Sequence, residues 1–228
     1  MGDRVLGLGH ATYAEVVGVE GSALSLLPEG LELTDAAAIP LVVLTGDQLV
    51  ILADSGEPGQ TVLVSGAVGS VGRAAVHSAK KRGIRVIAGV RTSQLEQANE
   101  LDVFDTIAID NDDAVKNLSL VDAIADTVGG ATAAKLLPKV KNGGRFCYAS
   151  ALPEGTIQQF AAVKVVRVFA RPNASTLREF ALDIRDHRFT LPISQRLPLW
   201  DAGKGQQLAE RGGAMGTILL VSPLHQKA

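Results

Sequence analysis

The chain has 228 residues, 22 Lys and Arg against 24 Asp and Glu, and is 46% hydrophobic but only 4% aromatic. That length suits one large domain or one domain with part of a second, and near-neutral charge without a basic stripe argues against a nucleic-acid partner. No apolar run reaches the length of a membrane span, Met1-Gly2-Asp3-Arg4 lacks the apolar core of a secretory signal, and the single cysteine, Cys147, permits neither an internal disulfide nor a cysteine cluster for metal; a reducing cytoplasm is the expected location.

Residues 1–33 read as irregular and β-like, with Tyr13–Val19 as a short strand. Asp35 is placed to cap a short helix, Ala36–Ile39, ahead of Pro40. Leu41–Ala53 is apolar for more than three turns and reads as a buried helix, broken by Gly56, Pro58 and Gly59. From residue 61 strands and helices alternate. Strands are expected at Thr61–Ser65, Arg85–Val90, Thr106–Ile109, Val121–Asp126, Arg145–Ala149 and Lys164–Phe169. Helices are expected at Val71–Arg82, Ser93–Leu101, Ala131–Pro138 and Thr176–His187, with Gly83 ending the first and Ser175 capping the last. The alternation predicts an α/β fold with a Rossmann doubly wound parallel sheet and an aliphatic core. Residues 190–221 break the rhythm: a strand-like LPISQRLPL, a helix near Ala202–Arg211, and a strand Thr217–Val221.

Gly66, Gly69 and Gly72 follow the first strand of this repeat and open the next helix. A pyrophosphate site needs such glycines for a tight turn, for close backbone approach and for helix–strand packing, and the helix N-terminus then favours phosphate. Gly66, Ala67, Gly69, Ser70, Val71 and Gly72 are the candidate cradle. A glycine turn used only for packing has the same sequence. The ribose-reading position falls at the tip of the second strand, about 20 residues on. No acid stands in that tip; Arg91 does, with Thr92 and Ser93 beside it. An arginine there suits a 2′-phosphate and predicts NADP(H) over NAD(H), while a solvated loop cation is the alternative.

Six stretches in order are similar to one family. Gly2-Asp3-Arg4-Val5 with Tyr13-Ala14-Glu15, Ala37-Ala38-Ile39-Pro40 through Leu44-Thr45, the Gly66–Gly72 turn, Asp126-Thr127-Val128-Gly129-Gly130, Gly143-Gly144-Arg145 and Gly216–Val221 resemble the medium-chain dehydrogenase/reductases, in their zinc-free quinone oxidoreductase branch. The resemblance implies a nucleotide domain at 34–189. It makes residues 1–33 the remnant of a β-rich, chaperonin-10-like front domain, to which 190–228 return. Most of that front domain is expected to be missing. Val128, Ala149 and Ser150 are implied at the ribose and nicotinamide, and Thr45 is a weak candidate near the nicotinamide. The branch's lysine for the 2′-phosphate corresponds here to Leu95, which leaves Arg91 as its replacement.

Zinc members carry cysteines that are absent here: Leu6–Thr12 lie where a four-cysteine lobe would fall, and Leu41, Val42 and Val43 precede Leu44-Thr45. No metal site is therefore expected. His10, His77, His187 and His225 are scattered, Cys147 reads as core, and Asp110, Asp112 and Asp113 read as a solvated loop. The functional expectation is an NADPH-dependent oxidoreductase passing hydride to a quinone or to an activated C=C or carbonyl of a small apolar substrate. An enoyl-reductase module of a larger synthase is a variant of it, and an NADP(H)-binding module without independent catalysis is the alternative. The strand 164–169 reads as a sheet edge that pairs two copies into a homodimer.

Overall fold

The computed structural model describes residues 2–212 and 216–222, apart from the Gln159 side chain; His225 lies outside them. In chain order the elements are β1 (Val5–Gly7), β2 (Leu24–Leu26), α1 (Leu33–Ala36), α2 (Ile39–Ala53), β3 (Thr61–Ser65), α3 (Ser70–Lys81), β4 (Arg85–Val90), α4 (Leu95–Ala98), β5 (Asp105–Ala108), α5 (Asp112–Asn117), β6 (Val121–Asp126), α6 (Gly130–Leu136), β7 (Val140–Tyr148), β8 (Lys164–Arg167), α7 (Ala174–Arg185), β9 (Ile193–Pro198), α8 (Ala202–Arg211) and β10 (Thr217–Val221). They form two compact units, one of residues 45–170 and one of residues 1–44 with 171–228.

In the unit 45–170 the six strands β3 to β8 form one sheet in the order β5-β4-β3-β6-β7-β8, and every neighbouring pair is parallel. The chain winds outward from β3 to β5, then returns to lay β6 against the other side of β3. That reversal is the topological switch point of a doubly wound sheet. The sequence favours it because consecutive residues such as Val62, Leu63 and Val64 are all apolar and all fully buried, as strands covered on both faces require. Val62, Val64, Ala88 and Ala125 pack on one face with Leu49 and Val50 of α2 and Ala75, Val76 and Ala79 of α3. Leu63, Ile87, Ile124 and Phe146 pack on the other with Val115 of α5 and Leu136 of α6.

Several expected boundaries shift. The helix expected at Ser93–Leu101 breaks into a 3-10 turn, the single turn α4 and another 3-10 turn. Helix α5 replaces the solvated acidic loop, because the Asn111 side chain accepts a bond from the Ala114 N–H at 3.1 Å and Asp112 and Asp113 sit in the favourable first turn. Strand β7 starts at Val140, ahead of the Gly143-Gly144 pair, and β8 ends at Arg167.

In the other unit β1 and β2 pair antiparallel and β9 and β10 pair parallel. Helix α7 packs on β1 and β2, and α8 packs on β9 and β10. Phe180 of α7 meets Phe189 edge-on at 5.5 Å. Tyr13–Val19 forms no strand: no neighbour pairs with it among the described residues, and Val16 is 84% exposed. Asp35 lies inside α1, whose cap is Glu32, and ion-pairs with Arg196 of β9. Asn173 rather than Ser175 caps α7, accepting bonds from the Thr176 N–H at 3.1 Å and the Ser175 hydroxyl at 2.7 Å. Together α1 and α2, Leu33–Ala53, are long and apolar enough to cross a bilayer by length and composition, which corrects the expectation that no run reaches that span. Of the most apolar window, 61% is buried inside the structure, as in a core helix.

Candidate functional site

At the end of β3 the chain turns sharply. Gly66 has φ +67, a left-handed conformation strained for other residues. The Gly69 N–H donates to the Gly66 carbonyl at 2.9 Å, and Gly69, in extended conformation, precedes the first residue of α3. A Cβ at Gly72 would overlap the Gly66 carbonyl oxygen, so only glycine lets α3 sit this close to the turn. The Ala67 N–H bonds the Gly89 carbonyl of β4 at 3.2 Å, and the Arg73 Nε–H donates back to the Val68 carbonyl at 3.1 Å. The first-turn amides of α3 and the positive end of its dipole therefore face the loop held by these bonds, an arrangement suited to phosphate.

Beside this turn, Ser65 of β3 and Asp126 of β6 are register partners. The Ser65 hydroxyl donates to Asp126 at 2.5 Å, and the Gly129 N–H donates to the other carboxylate oxygen at 2.9 Å. The Thr127 hydroxyl donates to the Ser65 carbonyl at 2.7 Å. Further along, the Ala149 N–H bonds the Asp126 carbonyl at 3.0 Å and the Ser150 hydroxyl bonds the Thr127 carbonyl at 3.1 Å. The carboxyl ends of β3, β6 and β7 are thus laced together at the switch point. Burial pushes the Asp126 carboxyl above its ordinary 3.8, while bonds from Ser65, Gly129 and Val128 pull the other way. Sequence reasoning missed Ser65 and Asp126 as a pair. Each was visible, as the last residue of a strand and as the first of DTVGG, but only the parallel register makes them partners.

At the end of β4, Arg91, Thr92 and Ser93 are all exposed. Asp110, just past β5, reaches across to them: its Oδ1 accepts bonds from both the Thr92 N–H and the Thr92 hydroxyl at 2.8 Å. These bonds, with a contribution from the Arg91 charge, hold the Asp110 carboxyl below its ordinary 3.8. So the strand tip does face an acid, supplied by the neighbouring strand, which proximity in the sequence could not reveal.

The structure brings Gly66, Ala67, Gly69, Ser70, Val71, Gly72, Val128, Ala149 and Ser150 to one edge of the sheet, with Arg91–Ser93 at the end of the adjacent β4. Val128 is 43% exposed there. Thr45 lies on α2 and is buried, and its neighbour Gly46 packs directly against Val71, Ala74 and Ala75 of α3. Beyond β7 and β8, on the same carboxyl edge, a cavity of ≈ 270 Å³ is lined by Tyr148, Leu152, Glu154, Thr156 and Arg167 among others. A larger one of ≈ 360 Å³, in the other unit, is lined by Tyr13, α8 and β10 and carries no charged side chain.

Cys147 is buried in the sheet, and burial pushes its thiol up to about 12, outside the range of a nucleophile. Among the described residues no three His, Cys, Asp or Glu side chains are grouped to hold a metal ion.

A sequence model of the family described as zinc-binding dehydrogenase matches residues 70–179. The chain is 33% identical over 130 residues to the mouse protein named NAD(P)H oxidoreductase RTN4IP1, mitochondrial, a match covering 54% of this chain and 33% of that one. It is 39% identical over 101 residues to the highly reducing polyketide synthase otaA of Aspergillus carbonarius, covering 43% of this chain and 4% of the synthase. The structure of the quinone oxidoreductase from Coxiella burnetii superposes with a TM-score of 0.84 at 23% identity, covering 96% of this chain and 72% of that one. The chain thus spans a third or less of these two curated relatives. Its fold is a Rossmann-type doubly wound sheet with a glycine turn at the switch point. Residues 70–179 match the dehydrogenase family model, and the fold is the one the Coxiella quinone oxidoreductase has.

Proposed function

We propose that the chain binds NADP(H) across the carboxyl edge of β3, β4, β6 and β7 and acts as an oxidoreductase on a quinone or on an activated C=C or carbonyl of a small apolar substrate. The observation that carries this reading is the Gly66–Gly72 turn: a cradle in which Gly66 and Gly72 leave no room for a side chain, set against the N-terminus of a 12-residue helix at the switch point. The cradle fits a pyrophosphate. Val128, Ala149 and Ser150 fit the loops over ribose and nicotinamide, and exposed Arg91 fits a 2′-phosphate better than a 2′-hydroxyl. Bound there, the nicotinamide supplies the hydride; the chain's part is to bind, orient and exclude water.

The free edge of β8 supports a homodimer formed by strand pairing. A cytoplasmic location without a nucleic-acid or membrane partner completes the reading. Its test is the loss of 340 nm absorbance from NADPH mixed with the protein and either 1,4-benzoquinone or a small α,β-unsaturated ketone. Multiple turnovers support the enzyme. Saturable NADPH binding without turnover supports the competing reading, a cofactor-binding module without catalysis of its own.

A further inference from the structure

We propose that Asp110 is a specificity-determining residue of the ribose corner, setting how strongly the site prefers NADPH over NADH. The inference rests on the dinucleotide reading above and goes beyond it, because that reading assigned the choice to Arg91 alone. Three observations carry it. First, the carboxylate stands at the corner itself, bonded through Oδ1 to both the N–H and the hydroxyl of Thr92, the residue after Arg91. Second, these bonds use the Thr92 hydroxyl as a donor to Asp110, so it cannot at the same time donate to a phosphate. Third, Asp110 and Arg91 flank Thr92, and the Thr92 bonds, with a lesser contribution from the Arg91 charge, hold the Asp110 carboxyl below its ordinary value.

A 2′-phosphate placed beside Arg91 therefore meets a nearby anion that repels its charge. A 2′-hydroxyl carries no charge and meets no such repulsion, and a carboxylate oxygen can accept its proton in a hydrogen bond. Arg91 and Asp110 thus pull the preference in opposite directions. Both are exposed, so their influence is screened by salt.

The substitution Asp110→Asn isolates the charge, because its amide oxygen can still accept the two Thr92 bonds. Binding of NADPH and NADH is followed by nucleotide fluorescence for wild type, Asp110→Asn, Asp110→Ser and Arg91→Ala at low and high KCl. The expected result is a rise of roughly three- to tenfold in the NADPH-to-NADH affinity ratio for Asp110→Asn at low salt, shrinking at high salt. Asp110→Ser moves the ratio the same way and serves if the Asn variant does not fold. An unchanged or falling ratio in the folded variants overturns the proposal. So does an equal loss of both nucleotides, which would assign Asp110 to loop structure alone. The Arg91→Ala arm tests the parent reading separately: it is expected to lower NADPH affinity toward that of NADH. A folded wild type that binds neither nucleotide overturns both.

Discussion

At the scale of single residues, the site depends on a few atoms that have no room to change. Gly72→Ala drives a Cβ into the Gly66 carbonyl, so the turn or α3 must shift; a loss of about 1–3 kcal/mol is expected, together with loss of nucleotide binding. Gly83→Ala is the control. Its φ of +72 also resists a side chain, but a Cβ there meets open space, and it lies past the end of α3 remote from the cradle. It is expected to cost about 1 kcal/mol and leave binding intact. Thermal unfolding and a nucleotide titration of both variants check the pair. Asp126 gives a second test. Its folded-state pKa is raised above the ordinary 3.8 by burial, so its contribution to stability is fully present below the unfolded value and is lost as pH rises through the folded one. In Asp126→Asn that part of the stability–pH curve disappears, which urea unfolding across the acid range measures. A curve that keeps its slope in the variant would contradict the assignment.

At the scale of elements, the unit 45–170 is braced by polar contacts that hydrophobic periodicity does not show. Arg145 of β7 donates to the carbonyls of Leu52 and Asp54 at 3.1 and 2.6 Å, neutralising the C-terminal end of α2, where unpaired carbonyls and the negative pole of the dipole gather. Arg145→Ala is expected to cost about 1 kcal/mol, seen as a lowered Tm without loss of binding. Between α2 and α3, Asp47 accepts bonds from the Ser78 hydroxyl at 2.6 Å and from Arg82 at 3.2 Å. This too was hidden, since an acid inside an apolar helix gives no sign of its partner on another. What was legible follows the same logic. Strands β3 and β4 and helix α2 declared themselves through runs of Val, Ile, Leu and Ala with glycine or proline nearby. Helix α5 was hidden because its stability comes from the Asn111 cap and its dipole rather than from an apolar stripe. The strand expected at Tyr13–Val19 failed because β-propensity without a partner strand does not make a sheet.

At the scale of the whole molecule, the sheet order β5-β4-β3-β6-β7-β8 leaves β8 with one neighbour among the described residues. Lys164 and Arg167 stand on that strand, and the Arg167 guanidinium lies 4.5 Å over the Phe169 ring, so charge blunts the edge without closing it. Pairing of β8 with a second copy is expected to give twice the monomer mass by light scattering at micromolar concentration; a monomer throughout would remove the dimer from the account. The glycines of the cradle and its place after the first strand of the repeat were readable in the chain. The pairs Ser65–Asp126 and Thr92–Asp110 were not, because parallel pairing joins residues that lie 61 and 18 positions apart.

The central claim is that the Gly66–Gly72 turn holds a dinucleotide pyrophosphate. The most direct measurement is a titration of the ¹⁵N-labelled protein with NADPH, followed by amide chemical shifts. The account expects saturable shifts concentrated in residues 66–72, 91–93, 127–130 and 149–150. A folded protein whose amides at 66–72 do not move at millimolar NADPH, or whose shifts gather elsewhere, would contradict it and leave the glycines as packing alone.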